Sequence, residues 1–169
     1  MMVKDLLLLT IFPAAMAFAA ATDLITMTVP NRIVLALVAG FFVTAPLAGL
    51  NWSDIGVHIA VACAALIVGF ALFAPGWIGG GDAKLFAATA LWLGPNFLLD
   101  YSLSAALIGG VLTLFVLCMR RLPLPSALND QGWLLKLHDT KEGVPYGIAL
   151  AAAGLLVYPY TPFMAALGG

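Results

Sequence analysis

Charge is what this chain has least of. Only 7 of its 169 residues are Lys or Arg and only 8 are Asp or Glu, while 63% are hydrophobic. The mean hydropathy is +1.08. A soluble domain of this size lacks the polar surface to cover so much apolar side chain, so lipid must cover part of it, and the chain reads as an integral membrane protein. A net charge of −1 offers no basic surface and gives no reason to expect nucleic acid as a partner. Cysteine is scarce too: Cys63 and Cys118 each sit inside an apolar run and in no CxxC pair. They read as small buried hydrophobes, not as a disulfide or a zinc site. His58 and His138 have no clustered ligands and read as polar boundary or surface residues, so neither a metal nor another cofactor is expected. There is no internal repeat and no low-complexity tract, and the length suits one domain over residues 1–169.

What the chain does have is apolar runs of bilayer length. They fall near 5–22, 33–50, 55–74, 83–99, 102–119 and 145–167, which makes the expected fold an all-α polytopic bundle of about six transmembrane helices, with five as the alternative count. Pro159 and Pro162 predict a kinked or interfacial end to the last run. The first run, with Lys4 ahead of it and small residues behind, resembles a secretory signal; Asp5 cancels Lys4 and Pro13 interrupts the run, so it is read as a retained helix.

Basic residues set the expected orientation. Arg32, Lys84, Arg120, Arg121, Lys136 and Lys141 fall on loops that alternate onto one side, and Lys4 alone lies opposite. That side is expected to be cytoplasmic and the N-terminus outside. The longest loop, about 119–144, is then cytoplasmic, and "WLLKL" at 133–137 could lie along the membrane surface.

Two aspartates stand out in this frame. Asp23 ends the first span and Asp82 opens the fourth, both at the cytoplasmic boundary. Acids near a membrane interior are costly and are functional candidates by default. Asp82 has a structural alternative as a helix N-cap. Asp23 is harder to explain so, because the dipole at a helix C-terminus disfavours an anion. Gly79, Gly80 and Gly81 ahead of Asp82 are either an ordinary loop or a hinge that lets a substrate strand approach closely. Two carboxylates held close would share one proton. The ionised member can then take a proton from water while the protonated one polarises a scissile carbonyl. Around them, Pro30 and Asn31 can turn the chain and cap the second span, and Pro145 suits the first turn of the last helix. Gly147, Ala151 and Gly154 make one small-residue face for close packing against the aspartates. Tyr146 either reaches the site through its hydroxyl or anchors at the interface, and Lys84 either meets headgroups, the preferred reading, or tunes Asp82.

These residues carry a resemblance. "GGGDAK" at 79–84 resembles the GxGD motif of the type IV prepilin peptidases, "DLITMTVPN" at 23–31 resembles their aspartate with Pro-Asn seven positions on, and "PYGIALAAAG" at 145–154 is similar to the Pro-Tyr-Gly segment of their last helix. The resemblance implies a six-helix membrane aspartyl protease of the bacterial inner membrane. It implies Asp23 and Asp82 as the catalytic pair, Gly79 and Gly81 as the motif glycines, and a prepilin precursor as partner, whose basic leader is cut on the cytoplasmic side. The small size resembles the short, methyltransferase-free members found with Flp-type pilus systems. The paired-cysteine segment of longer, methylating relatives has no counterpart here. The basic residues common between the first aspartate and Pro-Asn are replaced by "LITMTV", a departure from the family's pattern that bears on leader recognition or on contact with lipid headgroups. Two rival readings are a small proton-coupled transporter component, which would place acids at mid-membrane depth, and a presenilin-like intramembrane protease, which typically has Tyr, not Thr22, before its first aspartate.

Overall fold

The computed structural model describes residues 2–123, 131–140 and 142–167, so Lys141 and part of the long loop lie outside the described residues. All the regular structure there is helical: α1 (Met2–Thr26), α2 (Asn31–Leu47), α3 (Trp52–Phe73), α4 (Gly80–Arg120), α5 (Gly132–His138), α6 (Tyr146–Val157) and α7 (Pro162–Ala165), with a 3-10 turn at Tyr158–Tyr160. Among the described residues three helices are long and apolar enough to cross a membrane, Val3–Thr26, Trp52–Phe73 and Gly80–Arg120. That is fewer than the six spans expected. The difference lies in α2, which has 17 residues, in α6, which has 12, and in α4, which holds two of the expected runs on either side of a kink.

α4 is not one rod. Gly94 has φ 66 and ψ −172, a conformation open essentially to glycine alone, and Pro95 follows it. The rings of Phe86 and Tyr101 stack with centroids 5.2 Å apart. In a straight helix those residues would be separated by roughly 22 Å along the axis. The chain therefore folds back at Gly94, giving a first arm over residues 80–93 and a second over 95–120. The expected break near 100–101 is corrected: Tyr101 is fully buried against the first arm, and the turn falls at the Gly-Pro pair instead.

His58 makes that turn possible. Pro95 has no N–H, so the Leu91 carbonyl four residues earlier loses its helical donor. The Nδ1 of His58 takes its place, 2.7 Å from the Leu91 oxygen. The expectation of a boundary histidine is corrected, since His58 is buried. The ring also occupies the space over Gly94, where a Cβ would lie 2.6 Å from it. At the start of the same helix, Asn51 and Asp54 form a reciprocal capping box.

The core gathers around α1. Leu8, Phe12, Met16 and Ala19, spaced at one helical face, are all fully buried. Phe12 lies 5.2 Å from Trp92 and 4.5 Å from Tyr158, ring to ring. Trp92 donates through Nε1 to the Leu37 carbonyl (2.9 Å), and Tyr158 donates to the Leu8 carbonyl (2.7 Å). α1 is thus an integral layer of the fold. The last apolar run breaks where Pro159 and Pro162 predicted a kink: α6 ends in the 3-10 turn at Tyr158–Tyr160, and the short α7 folds Phe163 onto Trp92 (4.9 Å). Cys63 and Cys118, expected as buried, lie exposed on α3 and on the second arm of α4. On apolar helices such outward positions cost nothing if lipid covers them.

Candidate functional site

Three helix ends meet at one end of the bundle: the C-terminal turn of α1, and the N-terminal turns of α4 and α6. Each brings a segment singled out in the sequence. Asp23 and Asp82 line one cavity of about 700 Å³, whose walls also include Gly79, Phe86, Pro145 and Tyr146. The two carboxylates are close enough to interact electrostatically.

Asp23 is only 4% exposed. A buried carboxylate needs hydrogen-bond donors, and α6 supplies them. The Gly147 N–H donates to Asp23 Oδ2 at 2.7 Å, and the Ile148 N–H also bonds the carboxylate. Asp23 thus serves as an N-cap in trans, meeting the unpaired N–H groups and the positive dipole end of another helix. This resolves the awkward placement of an anion at the C-terminus of α1. Gly147 is required for the contact, because a Cβ there would sit 2.7 Å from Oδ2 and 3.0 Å from the Asp23 Cβ. Pro145 is the N-cap of α6, one position before the helical turn anticipated for it. Farther along, Gly154 lies against Phe12, Met16 and Thr89, so the small-residue face does pack onto α1 and α4.

Asp82 is the third residue of α4, inside its first turn, and Gly79 is the N-cap. The structural alternative of Asp82 as N-cap is therefore corrected. Its carboxylate instead reaches back to the Gly79 N–H, the half of a capping box that the third helical residue supplies. Each glycine ahead of it has its own spatial reason. A Cβ on Gly79 would lie 2.8 Å from Asp82 Oδ2, one on Gly81 would lie 3.3 Å from the Val29 backbone, and one on Gly80 would meet the Phe73 ring at 3.3 Å. Gly80 and Gly81 belong to the helix, so only Gly79 remains outside it.

The other expected residues divide. Asn31 is the first residue of α2, whose N-cap is Pro30, and it makes no cap bond. The capping role is corrected: Asn31 Oδ1 accepts from Lys84 Nζ at 3.2 Å, tying the start of α2 to the first turns of α4. Lys84 has this partner within the fold, in addition to any headgroup. The Tyr146 hydroxyl bonds Thr113 on the second arm of α4 (2.9 Å), while its ring edges the cavity. Three contributors were not anticipated: Ile148, which acts through its backbone and leaves no side-chain signal, and Glu142 and Trp77, which line the cavity. Among the described residues no three His, Cys, Asp or Glu side chains group so as to hold a metal ion.

An apolar helical bundle with membrane-length helices, carrying two backbone-held carboxylates in one cavity, defines a membrane protein with a site suited to acid–base chemistry. The chain belongs to the type IV leader peptidase family, whose family model matches residues 10–114. That match contains both aspartates and ends before the Pro145–Gly147 segment that holds Asp23. No curated protein and no solved structure matches the chain.

Proposed function

We propose that this protein is a membrane aspartyl endopeptidase that removes the leader peptide of type IV prepilins, of the Flp type, using Asp23 and Asp82 as its catalytic pair. The carrying observation is that two acids from distant parts of the sequence line one cavity, each held by backbone N–H groups beside a glycine that leaves room for it. In the reaction, a water lies between the carboxylates. The ionised one takes a proton from it as the water oxygen adds to the scissile carbonyl carbon. The protonated one gives its proton to the carbonyl oxygen. The tetrahedral intermediate then collapses: one of its hydroxyls returns a proton to the carboxylate that gave one, the C–N bond breaks, and the carboxyl that took the water's proton gives it to the leaving nitrogen. The mechanism calls for no covalent enzyme intermediate.

With the two arms of α4 counted separately and α2 and α6 crossing as well, the chain passes the bilayer six times. Arg32, Lys84, Arg120, Arg121 and Lys136 then lie toward the end of the bundle that holds the aspartates. The positive-inside bias puts that end in the cytoplasm, with the N-terminus outside, in a bacterial inner membrane. Co-expression with a Flp-type pilin precursor tests the activity. The leader should be lost, by gel mobility and mass, only in cells making this protein. Intact leaders on a panel of type IV precursors, beside well-inserted protein, would contradict the reading. A proton flux in vesicles that depends on Asp82 would favour the transporter rival.

A further inference from the structure

One side chain outside the aspartate pair ties down the wall of the cavity. Arg120 is the last residue of α4. Its Nε donates to the Leu137 carbonyl at 2.8 Å, and its Nη2 donates to the carbonyls of Glu142 (3.1 Å) and Gly143 (2.8 Å). Leu137 is buried and belongs to α5, whereas Glu142 and Gly143 line the cavity and run directly into Pro145 and α6. One guanidinium therefore joins three elements: the end of α4, the end of α5, and the segment leading to the helix that holds Asp23.

We propose that Arg120 is a positioning residue for this site, fixing residues 142–145 as the wall against which the substrate peptide lies. The inference rests on the peptidase reading above. The geometry needs arginine. Its planar fork presents Nε–H and Nη–H in different directions, so it can bind two separate segments at once. A lysine ammonium offers donors from a single point on a flexible stem and cannot hold both in the same way. The position also suits a cation for a general reason, since the C-terminal carbonyls of α4 carry negative dipole charge. That general role would be filled equally well by lysine, which separates the two explanations.

α6 itself is held by packing against α1 and α4 and by the Gly147–Asp23 bond, none of which involves Arg120. Loss of the clamp should therefore disturb the substrate wall more than the catalytic pair. The test is steady-state cleavage of a prepilin by purified protein in liposomes, comparing wild type with Arg120→Lys and Arg120→Gln. The expected result is a rise in KM of about tenfold in both variants, the weight of about one charge-assisted hydrogen bond, with kcat within about twofold. A KM restored to the wild-type value by Arg120→Lys would overturn the proposal, because charge alone would then suffice. A fall in kcat at unchanged KM would overturn it as well. Hydrogen–deuterium exchange of peptides covering 132–145 gives a readout independent of activity. It should quicken in Arg120→Lys, and unchanged exchange there would refute the clamp. Faster exchange in a protein whose wild type cuts no prepilin would leave the clamp standing and count against the peptidase reading alone.

Discussion

Replacing Gly147 with alanine probes the contact on which the site's geometry depends. The new Cβ would lie 2.7 Å from Asp23 Oδ2, where ordinary contact begins at 3.4 Å. Something must yield by about 0.7 Å, and the helix backbone packed between α1 and α4 yields less readily than a carboxylate. Retreat by that distance stretches the 2.7 Å Gly147–Asp23 bond to about 3.4 Å, past its favourable length, and weakens it. The bond is one to a carboxylate, worth about 1.5–3 kcal/mol, and displacement of a reacting group by ~1 Å can cost about a hundredfold in rate. A fall in kcat of about a hundredfold is expected for prepilin cleavage in liposomes. Helix propensity works the other way, since alanine favours a helix over glycine by roughly 0.5–1 kcal/mol. A loss of activity thus cannot be blamed on a weakened α6. Gly110→Ala is the control, because nothing lies within 4 Å of its Cβ position, and it should cleave normally. Gly147→Ala cleaving within about twofold of wild type, at equal inserted amounts, would refute the reasoning.

Two further substitutions probe the scaffold. His58→Leu removes the donor to the Leu91 carbonyl at the fold-back, leaving a buried acceptor unpaired, and should destabilise the protein by about 1–3 kcal/mol, read as a lowered Tm in detergent. An unchanged Tm would mean that the carbonyl finds another donor. Lys84→Met cuts the link to Asn31 and should cost about 0.5–1.5 kcal/mol of stability while leaving cleavage within a few-fold of wild type. A hundredfold loss of cleavage would mean that Lys84 acts on the aspartates directly.

How much of this was legible in the sequence depended on whether a feature rests on side chains or on backbone. The aspartates were legible because an acid in an oily chain is expensive, and the topology implied by the basic residues placed both at one boundary. The small-residue face of α6 was legible from its spacing. The fold-back at Gly94 was not, because apolar residues run on either side of it while Asp100–Tyr101 imitates a polar loop. The Gly-Pro pair was the signal available there. Asn31 was read as a cap by residue type, but Lys84, far along the chain, claimed its oxygen. The grip on Asp23 by Gly147 and Ile148, and that of Arg120 on Leu137, Glu142 and Gly143, go through backbone groups that every residue carries. Nothing in residue type announces them.

The central claim is that Asp23 and Asp82 act together. Its most direct test is prepilin cleavage by purified wild type, Asp23→Asn and Asp82→Asn in liposomes, with insertion checked for each. Asparagine keeps the shape and removes the charge and the titrating proton. The account predicts that each variant inserts and that each loses activity by about a thousandfold or more, with the double variant scarcely worse than either single one, as for groups that act as a unit. Near-normal cleavage by either single variant would contradict it.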